Sequence, residues 1–216
     1  MLAILKAHAM GERISVKVII GSTREGRFGD KPAAWIYNEL RKEPSVDAEL
    51  LDLREYPIAY YSAPESPAMH TGGYSDRVVQ RWSDKIGEAD AFIIVTPEYN
   101  HGYPAVLKSA LDIIYKEWNN KPVGFVSYGS ALGARSVEQL RQVAIELQMA
   151  PIHNAIHLPV EILHAHTASA RGGAAFDTSM FDRLRTGPSG DRVAGFFSQL
   201  LWWARALKAA READGT

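Results

Sequence analysis

The sequence predicts an α/β fold, a three-layer sandwich with a five-stranded parallel sheet in its middle and an extra helix at the C-terminus. Two observations lead there. Short apolar runs rich in β-branched residues alternate with segments whose apolar residues share one helical face, the pattern of a parallel sheet covered on both sides. Three of the runs also end in loops of small, polar or aromatic residues, and open α/β sheets present ligands at the carboxyl ends of their strands.

The first run, residues 16–20 (VKVII), stops at Gly21 and reads as a buried strand. Asp30 is a suitable N-cap and Pro32 falls in a first turn, so a helix is expected to about Leu40 with Ala33, Ile36, Tyr37 and Leu40 on one face. Residues 46–53 form the second strand. The connection over residues 54–73 is rich in Pro, Ser and Tyr, and loops of that length in compact domains are usually functional or mobile. It either lies over a bound ligand, in its own or a neighbouring subunit, or wraps the edge of the sheet. Ser75 is placed to cap a helix with Val78, Val79, Trp82 and Ile86 inward.

The third strand, 91–95, runs through TPEYNHGY into a helix over 104–115 that groups Leu107, Leu111 and Ile114. Residues 122–126 make the fourth strand. A helix to about Gln148 follows, with Val137, Leu140, Ala144 and Leu147 on its face, and then a fifth strand at 152–158. After Leu163 the alternation stops, and residues 164–190, rich in Ala, Gly, Ser and Thr, show no clear period. A last helix spans 191–212, with an apolar stripe through Val193, Phe196, Phe197, Leu200, Leu201 and Leu207. The expected organisation is a flexible extension at 1–13, a domain at 14–163 and a tail at 164–216 whose helix packs on that domain or on a partner subunit.

The chain's 216 residues suffice for one domain with a full core, and 46% hydrophobic residues mark it as globular. A formal net charge of −1 gives no general pull toward nucleic acid. Without cysteine there is no disulfide, no thiol catalysis and no cysteine-ligated metal, and the cytoplasm is the default compartment. No apolar run approaches the roughly eighteen residues of a membrane span. Residues 1–10 are short for a secretory signal and lack a basic n-region, and Met10 offers an alternative start.

The first loop, residues 21–29 (GSTREGRFG), has what a phosphate monoester needs at a helix N-terminus: hydroxyls at Ser22 and Thr23, charge at Arg24 and Arg27, and glycines that let the backbone come close. It equally fits an ordinary turn with solvated arginines. It is neither a P-loop nor a dinucleotide fingerprint, because both glycine patterns are absent. Asp52 stands where a ribose-binding acid would, which without those glycines carries little weight. The second loop, residues 96–103, suits a planar heterocycle held by edge hydrogen bonds and a shielding ring, or a helix-entry turn in which Tyr99 and Tyr103 merely pack. The third, residues 127–133, has small residues that let a ligand edge meet the backbone, or simply connects strand to helix. In a strand order 2-1-3-4-5 the three loops line one crevice at the switch point between strands one and three.

At these residues the chain resembles a known family. Gly21-Ser22-Thr23-Arg24, Pro97-Glu98-Tyr99-Asn100-His101-Gly102 and Ser127-Tyr128-Gly129 are similar to the three signatures of the NADPH-dependent FMN reductases, which include quinone and azo-dye reductases. The resemblance covers about residues 15–160. It implies a flavodoxin-like fold holding FMN at the interface of a homodimer or homotetramer. NADPH or NADH is then the co-substrate and a small molecule the electron acceptor. Ser22 and Arg24 inherit the phosphate, with Arg27 and Phe28 in the following turn. Pro97, Glu98, Tyr99 and Asn100 inherit the isoalloxazine, partly through backbone, and Ser127, Tyr128 and Gly129 its pyrimidine edge. The sequence departs from the family at Arg27, where serine is common, and at Ser130, where glycine is common.

Such chemistry belongs to the cofactor, so no catalytic side chain is expected. An FMN-binding electron carrier or redox-responsive interaction protein without NADPH turnover is the rival reading, and a nicotinamide-binding dehydrogenase a more distant one. The composition offers no acidic docking face of the kind a carrier needs, which favours the enzyme. His153 and His157, followed by His164 and His166, are read as packing or rim histidines and not as a metal site. His101 borders the proposed ring site. Trp202 and Trp203 are read as packing residues, since the helix lacks the strongly basic face of a membrane-surface helix.

Overall fold

A computed structural model describes residues 13–185 and 190–215. The expected N-terminal extension, apart from Arg13, lies outside them. The strands are β1 (Ile14–Ile20), β2 (Val46–Asp52), β3 (Ala91–Pro97), β4 (Pro122–Tyr128) and β5 (Ala150–His157). The helices are α1 (Asp30–Leu40), α2 (Arg77–Gly87), α3 (Ala105–Asp112), α4 (Ala134–Glu146), α5 (Val160–Arg171) and α6 (Arg192–Asp214). All strand pairs are parallel and the order is β2-β1-β3-β4-β5, as expected for a flavodoxin-like fold.

Burial explains the order. Every residue of β3 and β4 is buried, as befits central strands covered on both faces, whereas β2 and β5 carry exposed positions at the sheet edges. One face carries α1 and α6, whose buried residues join Val16, Val18 and Ile93 in one core. The other carries α2, α3 and α4, which bury Trp82, Leu107, Leu111 and Leu140 against Ile19, Ile94 and Phe125. Each fully buried large side chain contributes about 1.5–3 kcal/mol, and these two layers hold the sheet rigid beneath its carboxyl edge.

Four local expectations need correction. Asp30 opens α1 but does not cap it: Gly29 occupies that position, and the Asp30 carboxylate is held by Arg27. Asp76, not Ser75, caps α2, accepting from the amides of Val78 and Val79. The helix after the second loop stops at Asp112 and tightens into a 3₁₀ turn at Lys116–Trp118. The fourth is the largest. The alternation runs one helix further than expected, since α5 spans Leu163 and reaches Arg171, and no described strand follows it. Its stripe was too thin to read, since Ile162 is its only buried residue.

The chain between β5 and α6 is an excursion at the carboxyl edge. It makes α5 and a 3₁₀ segment, Thr178–Leu184, before α6 returns to pack on β4 and β5. Phe181 anchors it by stacking on Trp35 of α1, with ring centroids 4.9 Å apart. The 54–73 connection packs along α2 and α3. Tyr56 is buried against Trp82, and Lys116 donates to the His70 carbonyl. Its first residue braces the first loop, since Arg54 donates to the carbonyls of Thr23 and Arg24.

Candidate functional site

The loops after β1, β3 and β4 converge on a cavity of about 280 Å³ at the carboxyl edge of the sheet. Of the residues expected to act, Arg24, Arg27, Phe28, Pro97, Glu98, Tyr99, Tyr128 and Gly129 line it. Ser22, Asn100 and Ser127 do not; they stand behind or beside it. No residue of the 54–73 connection lines it.

The two arginines of the first loop occupy opposite environments. Arg24 is exposed at the mouth, and its guanidinium has no acceptor among the described residues. Arg27 is buried, its side chain only 2% exposed, and its donors are spent inside the protein. They reach Asp30, both carboxylate oxygens of Asp52 and the carbonyl of Ser22. Burial opposes the Arg27 charge, but the hydrogen bonds to Asp52 and Asp30 outweigh it and raise its pKa above the ordinary value. Arg27 therefore ties the loop to the end of β2. Ser22 is also buried, and its hydroxyl meets that of Tyr99 at 2.9 Å, joining first and second loops.

The second loop is a tight two-residue turn. Tyr99 and Gly102 exchange backbone hydrogen bonds of 2.8 and 3.0 Å, with Asn100 at φ 50° and His101 at φ 69° between them. This is the type I′ pattern, uncommon for residues other than glycine though Asn and His are among those that tolerate it best; a non-glycine residue held there stores on the order of 1 kcal/mol. Arg135, in the first turn of α4, holds the turn in place. Its guanidinium pairs with the buried Glu98 carboxylate and donates to His101 Nε2 at 2.8 Å. The Glu98 side chain thus points to Arg135, while its amide donates to the Tyr128 carbonyl at 2.9 Å.

In the third loop the Ser127 hydroxyl donates to the Leu132 carbonyl at 2.9 Å and meets His157 Nδ1 at 2.8 Å. It braces the loop from inside. Gly129 has φ 151°, and a Cβ there would sit 3.0 Å from Glu98 Cβ, so the loop's close approach to the second loop depends on glycine. Tyr128 is buried with its hydroxyl against Gly29 and no well-formed hydrogen bond among the described residues. Burial first, and then Tyr99, pushes its phenol above the ordinary value, so it stays a donor.

Residues 14–160 match the NADPH-dependent FMN reductase family. The chain belongs to that family. As an FMN reductase relative it is an oxidoreductase that works with FMN and NAD(P)H. It is 40% identical over 146 residues to an NAD(P)H-dependent FMN reductase of Schizosaccharomyces pombe, covering 67% of this chain and 73% of that one. An NAD(P)H-dependent FMN reductase of Saccharomyces cerevisiae is 34% identical over 157 residues, covering 68% and 82%. A quinone reductase of Escherichia coli is 30% identical over 145 residues, covering 64% and 73%. Among solved structures, a flavoenzyme NAD(P)H:acceptor oxidoreductase from Paracoccus denitrificans superposes with a TM-score of 0.62 over 89% of this chain and 98% of that one; at 22% identity this speaks for the shared fold.

The family segment ends at the start of α5, yet Leu163, His166 and Thr167 of α5 line the same cavity. Sequence reasoning missed them. The one available signal was position, a Leu163-x-x-His166 pair one turn apart just after the last strand's carboxyl end. Among the described residues no three His, Cys, Asp or Glu side chains are grouped to hold a metal ion.

Proposed function

We propose that this FMN reductase relative passes electrons from NAD(P)H through bound FMN to a soluble quinone-type acceptor. The observation that carries the site is the convergence of three loops, from three adjacent strands, on one cavity with an uncompensated arginine at its mouth. The residues fit the cofactor. Arg24 and the backbone amides beside Gly26 hold the phosphate, with Ser22, Arg27 and Phe28 fixing the loop that presents them. Pro97, Glu98, Tyr99 and Asn100 form the wall for the ring, mainly through backbone, since the Glu98 carboxylate is committed to Arg135. Ser127 braces the third loop, and Tyr128 and Gly129 meet the edge of the ligand. The buried, unpartnered Tyr128 hydroxyl is a donor that a ligand in this cavity would satisfy.

FMN, when bound, would supply the redox chemistry, a two-electron transfer from reduced nicotinamide to the acceptor. The side chains bind, orient and exclude water, and none is required as an acid or base. The quinone class rests on relatives whose names specify it, and azo compounds are the next substrates to try. A cytoplasmic location and a homodimer or homotetramer belong to the same proposal. No described helix is long and apolar enough to cross a membrane.

An absorbance spectrum with FMN, before and after anaerobic NADPH, tests the reading, followed by steady-state NADPH oxidation with a quinone and with an azo dye. Flavin bound and bleached, with turnover fastest on quinone, is expected. A protein that leaves FMN fluorescence unquenched would refute the reading. FMN binding with negligible NADPH turnover would point instead to an electron carrier.

A further inference from the structure

One wall of the cavity comes from chain that the family segment does not include. After β5 the backbone runs through α5 and Thr178–Leu184 before α6 packs on the sheet, and this excursion lies beside the first loop. Aromatic contacts hold it there. The His166 ring is 5.0 Å from Phe28 and 5.5 Å from Phe176, while Phe28 sits edge-on to Tyr128 at 5.0 Å. His166 is thus clamped over the residue that follows Arg27, in the cavity that Arg24 and Gly26 also line. Thr167, next along α5, lines the same wall, but its hydroxyl donates to the Leu163 carbonyl at 3.0 Å within the helix.

A histidine kept only for packing has no need of its ring nitrogens, and none of the hydrogen bonds within the described residues uses those of His166. Burial, and then Lys31, hold its pKa below the ordinary value against the opposing pull of Asp30, which favours the neutral imidazole. A neutral imidazole still has one N–H to give. Arg24 supplies charge at this end but stands at the mouth, and a phosphate monoester has more acceptor positions than one arginine fills.

We propose that His166 is a phosphate-binding residue, donating a hydrogen bond from α5 to the phosphate monoester of FMN and closing the end of the site that the first loop leaves open. The proposal rests on the FMN reading of this cavity and goes beyond it by assigning a binding role to the excursion.

The test compares FMN with riboflavin, which lacks the phosphate, by flavin fluorescence quenching on full-length protein stripped of flavin. His166→Phe keeps a ring against Phe28 and Phe176 but removes the donor. One lost hydrogen bond to a charged phosphate predicts that His166→Phe binds FMN about tenfold more weakly, with riboflavin affinity unchanged. Equal losses for both flavins, or no loss for either, would overturn the proposal. His166→Asn, which keeps a donor, is expected to recover part of the FMN affinity; no recovery relative to His166→Phe counts against it. If the unaltered protein binds neither flavin, the FMN reading itself fails, an outcome distinct from a variant that behaves like the parent.

Discussion

Arg24 and Arg27 share a loop and a charge, and burial separates what they do. Arg24 faces solvent at the cavity mouth, while Arg27 is enclosed by Asp30, Asp52 and the Ser22 carbonyl. Asp52, read from position as a candidate ribose acid, is instead the far anchor of that loop. Its burial disfavours charge, but the Arg27 hydrogen bonds and the Arg54 amide outweigh this and hold its carboxyl below the ordinary 3.8. A depressed folded-state pKa stabilises the protein above the unfolded value and is lost as pH falls through the folded value. Asp52→Asn is therefore expected to cost roughly 3 kcal/mol at pH 7, because it strands much of a buried guanidinium. The gap from the parent should narrow as pH drops below 3.8. Urea unfolding at pH 7 and at a series of acid pH values measures both. The two roles were illegible in sequence, since nothing local to GSTREGRFG tells which arginine β2 will cover.

Elements show the same division between pattern and contact. The stripe of α6 was plain in sequence, and Asp191, expected as its first residue, is its cap and accepts from the amides of Val193 and Ala194. Where it docks was not. Phe196 of α6 lies over Gly124 of β4, and a Cβ at Gly124 would come within 2.5 Å of its ring. Gly124→Ala is expected to destabilise the protein by about 1–3 kcal/mol through overpacking, while FMN affinity is retained because the contact lies away from the cavity. Thermal unfolding beside a flavin titration checks this, and a loss of flavin binding without loss of stability would contradict it. The second loop shows the limit of motif reading from the other side. The residues TPEYNHGY marked a ligand loop, yet the Arg135 clamp that holds its turn comes from a helix that begins beyond the next strand.

At the scale of the molecule, the described chain leaves large apolar side chains outside: Tyr60 and Met69 are 79% and 72% exposed, and Trp202 on α6 is 62% exposed. Such residues fit the contacts between copies proposed above, so sedimentation at micromolar concentration is expected to give a species at least twice the 23.9 kDa chain mass. A monomer across that range would defeat the expectation. By itself the sequence determined the alternation of strand and helix, the parallel sheet and the three loops at its carboxyl edge, while the strand order came with the family resemblance. Those features repeat along the chain with short periods, 2 or 3.6 residues or a continuous apolar run, and each window of sequence carries its own share of the signal. Only the tertiary structure decided that Arg27 is an anchor, that Ser22 and Ser127 brace loops from within, and that α5 brings His166 to the cavity. These are contacts between residues far apart in sequence, as Arg27 and Asp52 or Phe28 and His166 are, and no local period records them.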